Sequence, residues 1–231
     1  MIHENIERLR DQIASRCARI GRDPDKITVV AVSKTLQAAS IREAVRAGVE
    51  DVGENYVQEL VGKRELLAEE PIRWHFVGHL QRNKVKQIAP WIHMVHAVDS
   101  VVLAREIDKR AAASDRTIDV LLEVNTTGED SKFGVRPEGV SELIEGMDGL
   151  QRIRVVGLMT IGPFLPDPEG SRPMFRRLRH LKEEAARNPQ ANVEMHHLSM
   201  GMTGDLEVAL DEGATILRIG TAIFGSRTQP A

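Results

Sequence analysis

The sequence predicts an α/β protein, a single closed (β/α)8 TIM barrel spanning 1–231 with an extra helix at its N-terminus. Two observations predict it. Eight short apolar runs alternate with amphipathic stretches along the chain, the pattern of parallel strands joined by crossover helices. Unusual polar residues then stand directly after those runs, where the mouth of such a barrel gathers its chemistry. A length of 231 residues is ordinary for one α/β barrel, and no Gly/Ser-rich linker divides the chain.

The elements follow in order. Ile2, Ile6, Leu9 and Ile13, with Cys17 or Ile20, share one face of an N-terminal helix that Gly21 and Pro24 stop. The first strand, 27–33, is rich in β-branched and small residues and ends at the charge of Lys34. Further strands are expected at 49–53, 73–77, 94–98, 118–124, 154–159, 193–198 and 215–219. Helices are expected between them at 38–47, 54–68, 82–88, 100–114, 137–146, 170–187 and 203–212. Four prolines in 162–173 mark a loop after the sixth strand. Eight strands with crossover helices fit a closed barrel better than an open sheet.

Composition narrows the function. A net charge of −3 offers no global basic field for nucleic acid or an anionic membrane. Cys17 is the only cysteine, which excludes an internal disulfide and any multi-cysteine metal site. The polar start lacks the pattern of a secretion signal, and no apolar run reaches membrane-spanning length, so a cytoplasmic protein is expected.

Lys34 carries the most information. An amine at the mouth of a buried strand is poorly solvated, which favours its neutral, nucleophilic form and attack on an aldehyde. A strand-end lysine that merely reaches solvent is the common alternative. Position argues against it, because other polar residues fall at equivalent places: Glu54 and Asn55, His79 and Gln81, Asn125, Thr160, Ser199 and Gly220. The run from His197 to Asp205 leaves strand seven with Ser199, Gly201 and Thr203, an arrangement suited to an anion. An ordinary helix capped by Thr203 explains that run equally well. Gly220 and Thr221 add a second donor-rich turn after strand eight, and barrels often bind phosphate with these two loops. Arg218, inside an apolar strand, must face inward and needs an acceptor: a barrel carboxylate, a ligand ring nitrogen or an anion. An aldehyde-seeking amine, a phosphate cradle and an inward arginine together describe a site for pyridoxal 5′-phosphate.

Other motifs weigh less. His75, His79 and the His196–His197 pair lack a metal-binding spacing, so core hydrogen bonding is their expected role. Arg82, Lys84 and Lys86 read as a solvated helix face. Lys132 is expected to cap a loop, with capture of a second aldehyde as the alternative.

Seven ordered motifs extend the argument: Ala31–Lys34, Gly53–Glu59, Trp74–Gln81, Ser131–Gly134, Gly157–Thr160, Leu198–Met202 and Arg218–Thr221. Through them the chain resembles, over essentially its whole length, the pyridoxal phosphate homeostasis family. The resemblance implies the barrel of alanine racemase without that enzyme's second, β-rich domain. It also implies that Lys34 holds pyridoxal 5′-phosphate as a Schiff base. Ser199, Gly201, Thr203, Gly220 and Thr221 would hold the phosphate, Arg218 would face the ring nitrogen, and Asn55 and Met159 would line the cofactor. Thr203 stands where many relatives have serine, which preserves the hydroxyl.

Two function classes follow. One is a non-catalytic carrier that maintains vitamin B6 homeostasis and delivers the cofactor to apo-enzymes. The other is a pyridoxal phosphate-dependent amino-acid racemase. Two-base racemisation needs a proton acceptor on each face, and the one tyrosine, Tyr56, is expected in the helix after strand two. No sequence is left for a second domain, which favours the carrier and a monomer. A charged Arg218 at the ring nitrogen would weaken the ring as an electron sink.

Overall fold

The computed structural model describes residues 1–129, 131–162, 165–187 and 190–225. Eight parallel strands form a closed barrel in sequence order: β1 Thr28–Val32, β2 Asp51–Glu54, β3 Arg73–Phe76, β4 Met94–Val98, β5 Ile118–Glu123, β6 Ile153–Met159, β7 Val193–Ser199 and β8 Ile216–Ile219. Closure is made by β8 against β1, with Val30 opposite Arg218 and Ala31 opposite Ile219. The helices are α1 Ile2–Arg19, α2 Ala38–Arg46, α3 Val57–Leu66, α4 Val85–Ile88, α5 Val101–Ala113, α6 Val140–Glu145, α7 Arg172–Ala186, α8 Leu206–Asp211 and α9 Thr221–Phe224. Pro163 of the proline-rich loop lies outside the described residues.

Alternation along each strand divides the apolar residues into two cores. The larger lies between barrel and helices and takes Ala31, Val52, Phe76, Val95, Leu122, Leu217 and Ile219 from the strands. The smaller fills the barrel with Val30, Val32, Val77, Met94, Leu121, Val156, Met159 and Ile216. Because Ile216 points inward, Arg218 two residues later also points inward, as expected from the sequence. The N-terminal helix buries Ile2, Ile6, Leu9, Ile13 and Cys17, the expected face, and Arg16 pairs with Asp211 at the end of α8. Asn5 donates to the Ile223 carbonyl and so anchors α9.

Three local expectations need correction. Glu54 does not start a helix; it stays in the β2 ladder opposite Phe76 because its carboxylate is buried, and α3 begins at Val57. Thr203 does not cap α8. Asp205 occupies that N-cap position and accepts from the Met202 N–H at 2.7 Å. Residues after Gly220, expected as a turn, form the short helix α9.

Candidate functional site

Lys34 follows β1 in a half-buried turn whose next residue, Thr35, has φ of 66°. That turn is held from both sides. Lys63, itself buried, donates to the Ser33 carbonyl at 2.8 Å and to Glu59 Oε2 at 2.9 Å. Glu59 Oε2 in turn accepts from the Thr35 N–H at 2.8 Å. Beneath them the fully buried Glu54 accepts from Lys63 Nζ and from the Ser33 hydroxyl. Burial pushes the Glu54 carboxyl up, and the Lys63 ammonium opposes that shift. Sequence reading missed this clamp, although Glu59 and Lys63 stand at the i, i+4 spacing of a helical ion pair.

Strand register brings the other expected residues to the same end. β8 lies beside β1, so Gly220 emerges next to the Lys34 turn. The loop after β7 is tied to the start of α9 by the Ala222 N–H, which donates to Thr203 Oγ1 at 3.2 Å. Among the described residues, no hydrogen bond engages the backbone N–H groups of Gly201, Thr203, Gly204, Gly220 or Thr221. Two linked turns therefore present uncommitted donors beside a lysine, as an anion requires.

Ser199 and Gly201 have structural duties that the sequence did not reveal. Ser199 Oγ lies inside the barrel, accepts from Arg218 Nη1 at 2.7 Å and is 3.0 Å from His96 Nδ1. Its hydroxyl orients Arg218. Gly201 has φ of 93°, and a Cβ there would lie 2.5 Å from Ala209 Cβ, so packing alone demands glycine. A bulky residue at 201 would damage the fold whether or not an anion binds.

Among the described residues, Arg218 has no carboxylate as a direct partner. Its Nη1 goes to Ser199 and its Nη2 to the Thr160 carbonyl at 2.8 Å. Thr160 Oγ1 is fixed in turn to the Val124 carbonyl at 2.7 Å. Burial lowers the guanidinium to about 10, so it stays cationic at neutral pH, helped by Glu123 and Asp205.

Met159 ends β6 fully buried within the barrel. Asn55 follows β2, its backbone pressed so closely on Gly78 that a Cβ there would sit 2.3 Å from the Asn55 carbonyl. Asn55 Oδ1 is buried without a hydrogen-bond partner, as is Glu123 Oε2. Both residues line a cavity of about 430 Å³ with Tyr56, His79 and Phe133. His79 stacks on Phe133 with centroids 3.9 Å apart. Lys132 pairs with Glu129 at 3.0 Å within a loop that Asn125 ties together, which fits the expected loop role.

Glu123 is a further residue that sequence reading did not single out. Burial, then the charge of Asp99, raises its carboxyl to about 7. A raised carboxyl contributes its full stability below the ordinary carboxylate range and loses it as pH rises through 7. Glu123→Gln is therefore expected to match the parent near pH 4 and to be more stable at pH 8 by about 1–3 kcal/mol. Denaturant midpoints at the two pH values check this.

The expected core role of His75 is met by a bond to Asp51 Oδ1 at 2.9 Å. Asp51, His75 and His93 bring ligand-type atoms within 4.8 Å of one another. Arg73 engages both oxygens of Asp51, at 2.8 and 2.7 Å, and a cation would have to displace it.

Residues 4–228 match the family model of the alanine racemase N-terminal domain. The pyridoxal phosphate homeostasis protein of Aquifex aeolicus is 46% identical over 224 residues, covering 97% of each chain. That of Pseudomonas aeruginosa is 42% identical over 98% of this chain and 96% of its own. The structure of PipY from Synechococcus elongatus with PLP bound superposes with a TM-score of 0.86 at 31% identity, covering 97% of this chain and 100% of that one. No helix among the described residues is long and apolar enough to cross a membrane. With a racemase-type barrel along nearly its full length and such identities to both relatives, the chain belongs to the pyridoxal phosphate homeostasis family.

Proposed function

We propose that the protein is a carrier of pyridoxal 5′-phosphate that holds the cofactor covalently and hands it to apo-enzymes, with negligible turnover of its own. The observation that carries this is the placement of Lys34 beside the uncommitted N–H groups of the Gly201–Gly204 and Gly220–Thr221 turns. The residues fit the group. Five backbone donors suit a phosphate, the Thr203 and Thr221 hydroxyls add to them, and Asn55 Oδ1 is an unpartnered acceptor at the same mouth. Bound there, pyridoxal phosphate supplies an electrophilic aldehyde. Lys34 would hold the group there through its side-chain amine, and Ser33 and Thr35 fix the turn that presents it. Ser199 Oγ accepts from Arg218 Nη1 and sets the direction of the guanidinium.

Arg218 favours the carrier over a racemase. A guanidinium that stays charged at neutral pH donates a hydrogen bond to the ring nitrogen and does not protonate it, which weakens the ring as an electron sink. Tyr56, the one tyrosine available as a second base, is 57% exposed at the N-cap of α3. The homeostasis names of the relatives support the same choice.

The test uses holo-protein with L-alanine in deuterated water. No deuterium is expected at Cα over many equivalents, whereas trace apo-enzyme should slowly gain activity. Sustained Cα exchange that depends on Lys34 would replace the carrier with a racemase. Pyridoxal, which lacks the phosphate, should bind at least tenfold more weakly than pyridoxal 5′-phosphate, about 1.4 kcal/mol.

A further inference from the structure

The barrel interior holds a chain of polar side chains that the site description leaves unused. Arg218 Nη1 lies 2.7 Å from Ser199 Oγ, and Ser199 Oγ lies 3.0 Å from His96 Nδ1. His96 Nε2 is 2.9 Å from His75 Nδ1, and His75 Nε2 is 2.9 Å from Asp51 Oδ1. Four hydrogen bonds thus cross the barrel from Arg218 to Asp51. Arg73 clamps the far end, where it and Asp51 line a cavity of about 570 Å³ beneath α1. Every member between the ends is buried: Ser199 and His96 at 0% and His75 at 1% exposure.

We propose that this chain is a hydrogen-bond wire of a single polarity, which makes His96 and His75 positioning residues for Arg218. The ends dictate the direction. A guanidinium can only donate and a carboxylate can only accept. Arg218 therefore donates to Ser199, whose own proton goes to His96 Nδ1. His96 must then carry its proton on Nε2 and give it to His75 Nδ1. His75 also carries its proton on Nε2 and gives it to Asp51. In this arrangement each ring carries its proton on Nε2.

The surroundings hold that state. Burial lowers His96 well below an ordinary histidine, and the Arg218 guanidinium adds to that shift. Arg73 and His75 hold the Asp51 carboxyl far below the usual range, against its burial. With one proton on each ring, reversing the wire would require a protonated Asp51. Leaving out one link would strand a buried donor or acceptor, so the five groups are set together. The consequence falls on Arg218. With Nη1 fixed by the wire and Nη2 by Thr160, its remaining N–H groups have one permitted direction.

The link to the cofactor rests on the function proposed above, and two experiments separate them. The first needs no ligand and no variant. Imidazole ¹H–¹⁵N spectra of the ligand-free protein at pH 8 should show His75 and His96 each with its proton on Nε2, and the His96 signals should stay unchanged down to pH 5.5. An Nδ1–H tautomer at either position, or a charged His96, overturns the wire. The second compares His96→Leu, which cuts it, with His96→Gln, which keeps one acceptor and one donor. Pyridoxal 5′-phosphate should bind His96→Leu about tenfold more weakly, and His96→Gln should recover most of the loss. The 1-deaza analogue, which has no ring nitrogen, should bind all three forms within about twofold, because the wire acts through the contact it lacks. Equal weakening of both ligands would reduce the histidines to packing and overturn the positioning role. A parent protein that binds the deaza analogue and the natural cofactor equally would overturn the ring-nitrogen contact itself. Failure of the parent to bind either ligand would sink the carrier function and this coupling together, leaving only the tautomers.

Discussion

Lys34→Ala is expected to remove the visible absorbance of bound pyridoxal 5′-phosphate and to weaken its affinity at least a hundredfold, about 2.7 kcal/mol. The phosphate turns remain in this variant, so weak binding persists while the covalent bond is lost. The turn is anchored through the Ser33 carbonyl and the Thr35 N–H, so the fold should survive. Thermal melts and circular dichroism check that point. In the parent, borohydride reduction followed by peptide mapping should place the cofactor on the peptide containing Lys34. An unchanged absorbance in the variant would transfer the role to another lysine. Lys132, paired with Glu129 in the loop after β5, is the one to test next.

Lys63→Met should cost about 3–5 kcal/mol of stability at neutral pH, the penalty for leaving a buried charge without its partner. Glu54 is 0% exposed, and the Lys63 ammonium pairs with it. Loss of that ammonium pushes an already raised carboxyl higher, so the variant takes up a proton on folding. Its deficit should therefore shrink as the pH falls towards 5. The double variant Glu54→Gln, Lys63→Met should regain much of the loss, since no buried charge then remains. Cofactor affinity should stay impaired in both, because Lys63 also holds the Ser33 carbonyl and, through Glu59, the Thr35 N–H. Denaturant titrations at pH 5 and 7.5 measure the stability difference. An equal deficit at both values would mean that Lys63 acts through packing of its stem.

Helix and strand order was legible because it depends on local period. Thr28–Val32 and Ile216–Ile219 are short runs buried towards both the barrel and the helices, as parallel strands are, and the barrel's usual function-bearing end located Lys34 and Gly220. Helix starts were less legible. Glu54 and Thr203 look like first-turn residues, yet burial draws Glu54 into the sheet and Asp205 takes the cap from Thr203. The mouth residue Glu123 escaped notice because a glutamate ending a strand looks ordinary until its burial is known.

By itself the sequence determined the eightfold alternation, the inward face of Arg218, the strand-end lysine and the glycine-bearing turns that point to a phosphorylated aldehyde. The tertiary structure alone decided what those residues touch. His75 meets His96 across 21 positions, His96 meets Ser199 across 103, and Lys63 reaches back 30 to Ser33. Such pairs are set by how the strands stagger on closing into a barrel, not by the period of any one strand. Local pattern says which way a side chain faces; closure decides which one it faces.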